Sequence, residues 1–353
     1  MTQTLPTTQK AMVFDTVGGP VEYRDIPVPK PGPGQILLHV QYSGVCHSDL
    51  SIWNGDWQKD LPFSPKLPLV GGHEGAGDVV ALGDGVINWK IGDLAGVKWI
   101  NSSCLACEPC RMGEDSYCQT PTMSGFFVDG SYQQYALLDA ACAARIPQGV
   151  DLAGVAPILC AGLTVYRAIK TANVKQGGWM TITGAGGGLG TYAIQYAKAM
   201  GYRVIGIDTG DDKGKLCVEL GAEHFVDFMK DNVVDKINEL TNGGSQGVIN
   251  CAVSDRAVEE ATKYVRTFGT IVLVALPPNG YVKSHIFTHV FKSFNIKGTY
   301  VGGRQDAQEA IDFYARGMVK SHYKMGELSK LNDYYKAMTD GKILGRIVVD
   351  NSK

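Results

Sequence analysis

An α/β fold in two parts is predicted: an irregular β domain, then a domain built on a doubly wound parallel sheet. Three observations carry this expectation. The chain has 353 residues, more than one ordinary domain holds. From Lys10 to about Val150, short β-rich runs such as QILLHVQYSG, GAGDVVALG and YQQYALL are broken by Gly and Pro, the pattern of strands separated by many turns. From about Thr164 onward, apolar runs alternate with helical stretches, which at this length implies parallel strands joined by crossover helices.

The elements follow in order. PKPGPG (29–34) is a stiff turn inside the β-rich half. In the second half WMTIT reads as a strand leading through a glycine-rich turn into TYAIQYAKAMG. There Ala193, Ile194, Ala197 and Met200 recur at helical spacing, and Gly201 follows as a stop. YRVIGID, KGKLCVELGA, GVINCAV, ATKYVRTFG and TIVLVAL continue the alternation as strand, helix, strand, helix and strand. Residues 301–353, too short for a further domain, are expected to return to the first.

Bulk composition narrows the partners. With 44% hydrophobic and 19% charged residues the chain reads as globular with ample core. A formal charge of -2 gives no electrostatic reason to expect nucleic acid or an anionic membrane. No apolar run approaches the roughly 20 residues that span a bilayer. The opening MTQTLPTTQK has neither an apolar signal core nor a transit-peptide pattern, so the cytoplasm is the expected location.

Four of the nine cysteines, Cys104, Cys107, Cys110 and Cys118, fall within fifteen residues as C-x2-C-x2-C-x7-C. In a reducing compartment such a cluster binds metal more often than it forms disulfides. Glu108, Pro109 and Gly113 make local turns that aim four thiolates at a point about 2.3 Å from a tetrahedral zinc. Four ligands leave no open position, so this zinc would be structural; an iron–sulfur site and a reactive dithiol are the competing readings.

TITGAGGGLGTYAIQYAKAMGYRVIGID is a βαβ unit with Gly184, Gly186, Gly187, Gly188 and Gly190 crowding its turn. Small residues let the backbone approach a pyrophosphate resting on the helix N-terminus. The motif is one residue longer than the usual fingerprint, and its context carries it: Asp208 ends the next strand, where a carboxylate binds the adenosine ribose hydroxyls and repels a 2′-phosphate. Thr209, Gly210, Asp211 and Asp212 follow with no arginine, which favours NAD over NADP. Cys46, His73, Glu74 and Cys160 are of metal-ligand types but widely spaced, and spacing alone does not bring them together.

The ordered set C-H-S-D (46–49), G-H-E-G-A-G (72–77), the four-cysteine lobe, L-C-A-G-L-T (159–164), the glycine turn and G-R-I-V-V-D (345–350) resembles the zinc-dependent medium-chain alcohol dehydrogenases over essentially the whole chain. LPLVGGHEGAG and QYAKAMGYRV are most similar to the yeast-type tetrameric ethanol dehydrogenase branch. The resemblance implies a GroES-like catalytic domain of residues 1–162 and 301–353 with both zinc sites, a Rossmann NAD domain of residues 163–300, and a homotetramer. It implies two zinc ions per chain, the catalytic one held by Cys46, His73 and Cys160 with an open fourth position. Glu74 resembles an alternative ligand, and Asp49 a carboxylate that accepts the other ring N–H of His73. His47 and Arg346 would meet the pyrophosphate, Asp208 and Lys213 the adenosine ribose, and Thr164 and Leu189 the nicotinamide.

The implied chemistry is hydride transfer from a zinc-bound alkoxide to the nicotinamide, with Ser48 taking the alcohol proton. Many relatives carry a relay histidine three residues after Ser48, where this chain has Ser51. Trp57 and Trp99 match pocket positions that leave space for little beyond ethanol, with Leu276 at a further pocket position. A zinc dehydrogenase of longer, aryl or polyol alcohols is the alternative. Cys142, Cys217 and Cys251 are expected to be packing residues.

Overall fold

The structure is a computed structural model and describes residues 5–57, 63–277, 279–343 and 345–353. In chain order its strands are β1 (Thr8–Phe14), β2 (Val21–Pro27), β3 (Gln35–Val45), β4 (Leu69–Val70), β5 (Gly75–Leu82), β6 (Leu94–Val97) and β7 (Ile100–Ser102). There follow β8 (Thr122–Met123), β9 (Tyr135–Asp139), β10 (Ala144–Ile146), β11 (Trp179–Thr183), β12 (Arg203–Asp208) and β13 (His224–Asp227). The last are β14 (Ser245–Asn250), β15 (Val265–Leu273), β16 (Asn295–Gly298), β17 (Tyr323–Glu327) and β18 (Arg346–Asp350). The chain divides into two compact units. One runs to Cys160 and resumes over Gly303–Ala315 and Ser321–Lys353; the other spans Ala161–Gly302 and Arg316–Lys320.

In the first unit, alternating Ile36, Leu38 and Val40 on β3 pack with Val79, Ala95, Val97, Ala136 and Leu138 into one apolar cluster. Each such aliphatic side chain contributes about 1.5–3 kcal/mol when fully buried. β3 is long enough to serve two neighbours on one side, pairing β9 through Gln35–His39 and β18 through Tyr42–Val45. The sheet order is β10-β6-β5-β3-β18-β17, beside a small β2-β1-β4 sheet and a β7-β8 pair. Arg346, at the head of β18, is thereby held inside the unit.

In the second unit all strand pairings are parallel, in the order β13-β12-β11-β14-β15-β16. Counted within the unit this is 3-2-1-4-5-6, the doubly wound dinucleotide-binding order whose switch point lies between β11 and β14. The helix Gly190–Ala199 starts at the end of the glycine turn after β11, burying Ala193, Ile194 and Ala197 while Met200 is half-buried and Gly201 adopts φ 87°. One expected boundary differs. ATKYVRTFG is not wholly helical: the helix ends at Tyr264, and Val265 turns extended to open β15. The β-branched and aromatic residues of VRTF favour the pleated surface once a neighbouring strand is present. Among the described residues no single helix is long and apolar enough to cross a membrane.

Candidate active site and metal centres

The eight-residue helix His47–Asn54 follows directly on β3 and carries the first site residues. Cys46 is its N-cap, in extended conformation, and its N–H donates to Asp49 Oδ2 at 3.3 Å. Gly55 at φ 76° closes the helix. Two further segments bring His73 with Glu74, and Cys160, to the same point. One ligand atom from each of Cys46, His73, Glu74 and Cys160 lies within 4.8 Å of the others, and all four residues are buried. His73 Nε2 stands 3.1 Å from Cys160 Sγ, while its Nδ1 lies 2.8 Å from Asp49 Oδ1. Nδ1–H donating to Asp49 leaves Nε2 as the metal-facing nitrogen.

The electrostatics favour a cation here. Burial would lower the His73 imidazole, but the charges and hydrogen bonds of Asp49 and Cys46 together outweigh it and hold the ring well above its ordinary value. The hydrogen bond with Cys160, with help from His73, holds the Cys46 thiol well below its usual value. Burial raises the Glu74 carboxyl to about 8, against the pull of Arg346. Arg346 pairs with Glu74 Oε1, while Glu74 Oε2 is buried without a hydrogen-bond partner. A Cβ on Gly44 would collide with that oxygen, so the glycine keeps the space around Glu74 open. Two thiols, an imidazole aimed by a carboxylate and an orphaned carboxylate oxygen match the donor chemistry of a catalytic zinc.

The cysteine lobe is a separate cluster. Cys104, Cys107, Cys110 and Cys118 offer sulfurs within 4.8 Å of one another, with Cys104–Cys110 and Cys107–Cys118 each at 4.0 Å. A tetrahedral zinc with Zn–S bonds of about 2.3 Å needs sulfurs about 3.8 Å apart. Backbone N–H groups of Cys107 and of Cys104 donate to the sulfurs of Cys104 and Cys118 at 3.2 Å. Such donors favour thiolate, and hydrogen bonds from Ala106 and Cys107 bring the Cys104 thiol down to about 6. The lobe also supplies Asp115, 2% exposed, which accepts the Arg304 N–H at 3.2 Å and so anchors the start of the helix Arg304–Ala315.

In the second unit the glycine turn and Asp208 are joined directly. Asp208 Oδ2 accepts the Gly186 N–H at 3.0 Å, and Oδ1 accepts the Thr209 N–H and Lys213 Nζ, both at 2.8 Å. Gly184 has φ 64°, and a Cβ on Gly190 would strike the Gly184 carbonyl, so both glycines are dictated by the close approach of helix and strand. Gly187, Gly188 and Leu189 are half-buried, as is Lys213, whereas Thr164 is buried at the start of the helix Ala161–Ala172.

The remaining expected residues divide. His47 is exposed, Ser48 half-buried and Ser51 buried on the same helix. Trp57 lines a small pocket with Ser51, Ile52, Gly55, Phe63, Pro65 and Phe126. Trp99 packs edge-on against His73, with ring centroids 5.2 Å apart, and tilts against Phe126 at 6.2 Å. Leu276 is 64% exposed. Cys142 and Cys217 are buried, and Cys251 is partly so. Sequence reasoning missed Phe126, Tyr132, Tyr335 and the Glu74–Arg346 pair. Nothing in their spacing marks them, because segments far apart in the chain bring them together.

Two family models match the chain. The Alcohol dehydrogenase GroES-like domain matches residues 32–148 and the Zinc-binding dehydrogenase family matches residues 188–316, together more than two thirds of the chain. The chain belongs to the zinc-binding medium-chain alcohol dehydrogenase family. It is similar to acetophenone reductase from Geotrichum candidum, solved in complex with NAD, at 29% identity and TM-score 0.86, covering 99% of this chain and 100% of that one. It is likewise similar to the alcohol dehydrogenase from Aeropyrum pernix, at 27% identity and TM-score 0.86, covering 97% and 99%. CAD from Helicobacter pylori complexed with NADP(H) matches at 25% identity and TM-score 0.85, covering 98% and 99%.

Proposed function

We propose that the chain oxidises a small primary alcohol, ethanol foremost, to its aldehyde, reversibly and with NAD as hydride acceptor. The observation that carries the reading is the aromatic wall running from His73 through Trp99 to Phe126 and on to the Trp57 pocket. Large rings beside the metal ligands leave little room for long or branched chains. The Asp208 carboxylate at the end of β12, followed by Asp211 and Asp212, supports NAD by opposing a 2′-phosphate.

Zinc bound by Cys46, His73 and Cys160 would supply Lewis acidity that lowers the pKa of an alcohol oxygen. The chain's own residues do the rest. Asp49 fixes the His73 tautomer and aims Nε2. Ser48, at the second position of its helix, accepts the alcohol proton as it gives up its own, and Ser51, one turn on, lies on the same face, where it holds a water that carries the proton to solvent. The glycine turn and the helix behind it receive the cofactor pyrophosphate.

The test is NAD-dependent oxidation of ethanol beside longer, branched and aryl alcohols, repeated with NADP. We expect kcat/KM to fall about ten-fold or more for branched alcohols, and NAD to be preferred. A flat profile removes the small-alcohol assignment; equal use of NADP removes the cofactor assignment.

The reading extends to a cytoplasmic homotetramer. Six of the nine cysteines gather in two clusters of metal-ligand geometry, a use of cysteine that supports the reducing compartment. The helix Ile286–Lys292 buries none of its residues and presents Ile286, Phe287, Val290 and Phe291, each more than 70% exposed. Exposed apolar faces of this kind mark interaction surfaces, and a second copy of the chain is the proposed occupant. Sedimentation should show a tetramer that Phe287→Glu with Phe291→Glu breaks into smaller species; a monomeric parent protein refutes the assembly.

A further inference from the structure

Asp49 is buried, 2% exposed, and accepts four hydrogen bonds, two on each oxygen. Oδ1 takes the His73 Nδ1–H at 2.8 Å and the Gly72 N–H at 3.1 Å. Oδ2 takes the Tyr132 O–H at 2.8 Å and the Cys46 N–H at 3.3 Å. The strong bond on Oδ2 is therefore the tyrosine's, and the other is long. Without it Oδ2 would rest on a single weak donor, and a carboxylate turning about its last torsion would carry Oδ1 away from the imidazole.

Tyr132 is built to prevent that. Its side chain is fully buried, its N–H donates to the Gly71 carbonyl at 3.0 Å and its carbonyl accepts the Met12 N–H at 2.9 Å. A Cβ on Gly71 would stand 3.3 Å from the ring and one on Gly72 would stand 2.9 Å from it, so these two glycines make room for the phenol. The hydroxyl also lies 3.3 Å from the Gly44 carbonyl, and the buried Tyr335 stands beside the same segment, its hydroxyl 3.9 Å from where a Cβ on Gly71 would lie. Packing and hydrogen bonds thus lock one rotamer from several sides, the condition for holding a site to a fraction of an ångström.

We propose that Tyr132 is a positioning residue that acts through Asp49 to hold His73 in its metal-binding orientation. This rests on the proposed metal role of His73. The chain Tyr132–Asp49–His73 ties the segments 44–49, 71–73 and 130–132 together.

The experiment uses the full chain loaded with zinc at both clusters, as the parent protein and as Tyr132→Phe, which deletes one oxygen and keeps the ring. Zinc release to EDTA is followed per chain, with the four-cysteine lobe as an internal control. Tyr132→Phe should release one of the two ions about 10-fold faster, the low end for loss of an outer partner of a ligand, and leave the other unchanged. With cobalt(II) in place of zinc at the Cys46–His73–Cys160 cluster, the visible ligand-field bands should shift. Unchanged release and unchanged bands, with only a lower Tm, make Tyr132 a packing residue and overturn the proposal. Should Tyr132→Phe not fold, Tyr132→Met, which also lacks the donor and fills much of the ring's space, decides by the same readouts, with faster release of one ion supporting and none refuting. A parent protein that oxidises no alcohol while the release difference persists removes the function reading and leaves this one standing.

Discussion

Cys160→Ala is expected to yield a folded chain that keeps one zinc instead of two and has lost about a thousand-fold in kcat/KM for alcohol. Lewis-acid stabilisation is worth several kcal/mol, and each 1.36 kcal/mol is a factor of ten in rate. Cys160 is 7% exposed and its sulfur is the partner of His73 Nε2. Its loss leaves Cys46 and His73 with only Glu74, already paired with Arg346, in reach, a set short of the two-cysteine, one-histidine site. Metal analysis and steady-state kinetics on the same sample check both halves. Full activity with a single zinc would place the chemistry away from this cluster.

The second large effect belongs to stability. Cys118→Ser is expected to remove the lobe's metal and lower Tm while leaving the freshly purified enzyme active in the cold. Structural zinc contributes about 10–16 kcal/mol to isolated finger peptides. If a quarter of that applies here, about 3 kcal/mol, Tm falls by about 6–12 °C for a unit of this size. The loss should spread beyond residues 104–118, because Asp115 in the lobe holds the Arg304 N–H. Limited proteolysis should therefore cut both the lobe and the segment before Arg304. An unchanged Tm after loss of that zinc would make the lobe dispensable for folding.

Legibility in the sequence followed the distance between interacting residues. The glycine turn and Asp208 sit in one βαβ unit, and the structure joins them through the Gly186 N–H. The four lobe cysteines are local, so turn geometry alone aimed them together. Cys46, His73 and Cys160 come from three separate segments; composition named them as ligand types, and only the resemblance joined them. Tyr132 was invisible for a different reason. In YQQYALL it reads as one more aromatic of a β-rich run, and its role exists only because Gly71 and Gly72 admit its ring beside Asp49. The misplaced helix end at Tyr264 has a similar origin: the run is helix-compatible locally, and the pairing of β15 with β14 decides where it stops.

The position of β18 between β3 and β17, with Arg346 closing on Glu74, has a consequence for how the protein is made. A ribosome adds about 5–20 residues per second, so the 300 positions from Cys46 to Arg346 take about 15–60 s to emerge. Until Arg346 arrives β3 lacks one of its neighbours, and Glu74, once made, lacks the guanidinium that pairs with it. The open edge of β3 and the unpaired Glu74 thus wait on the same five-residue strand, which closes the one and supplies the partner of the other.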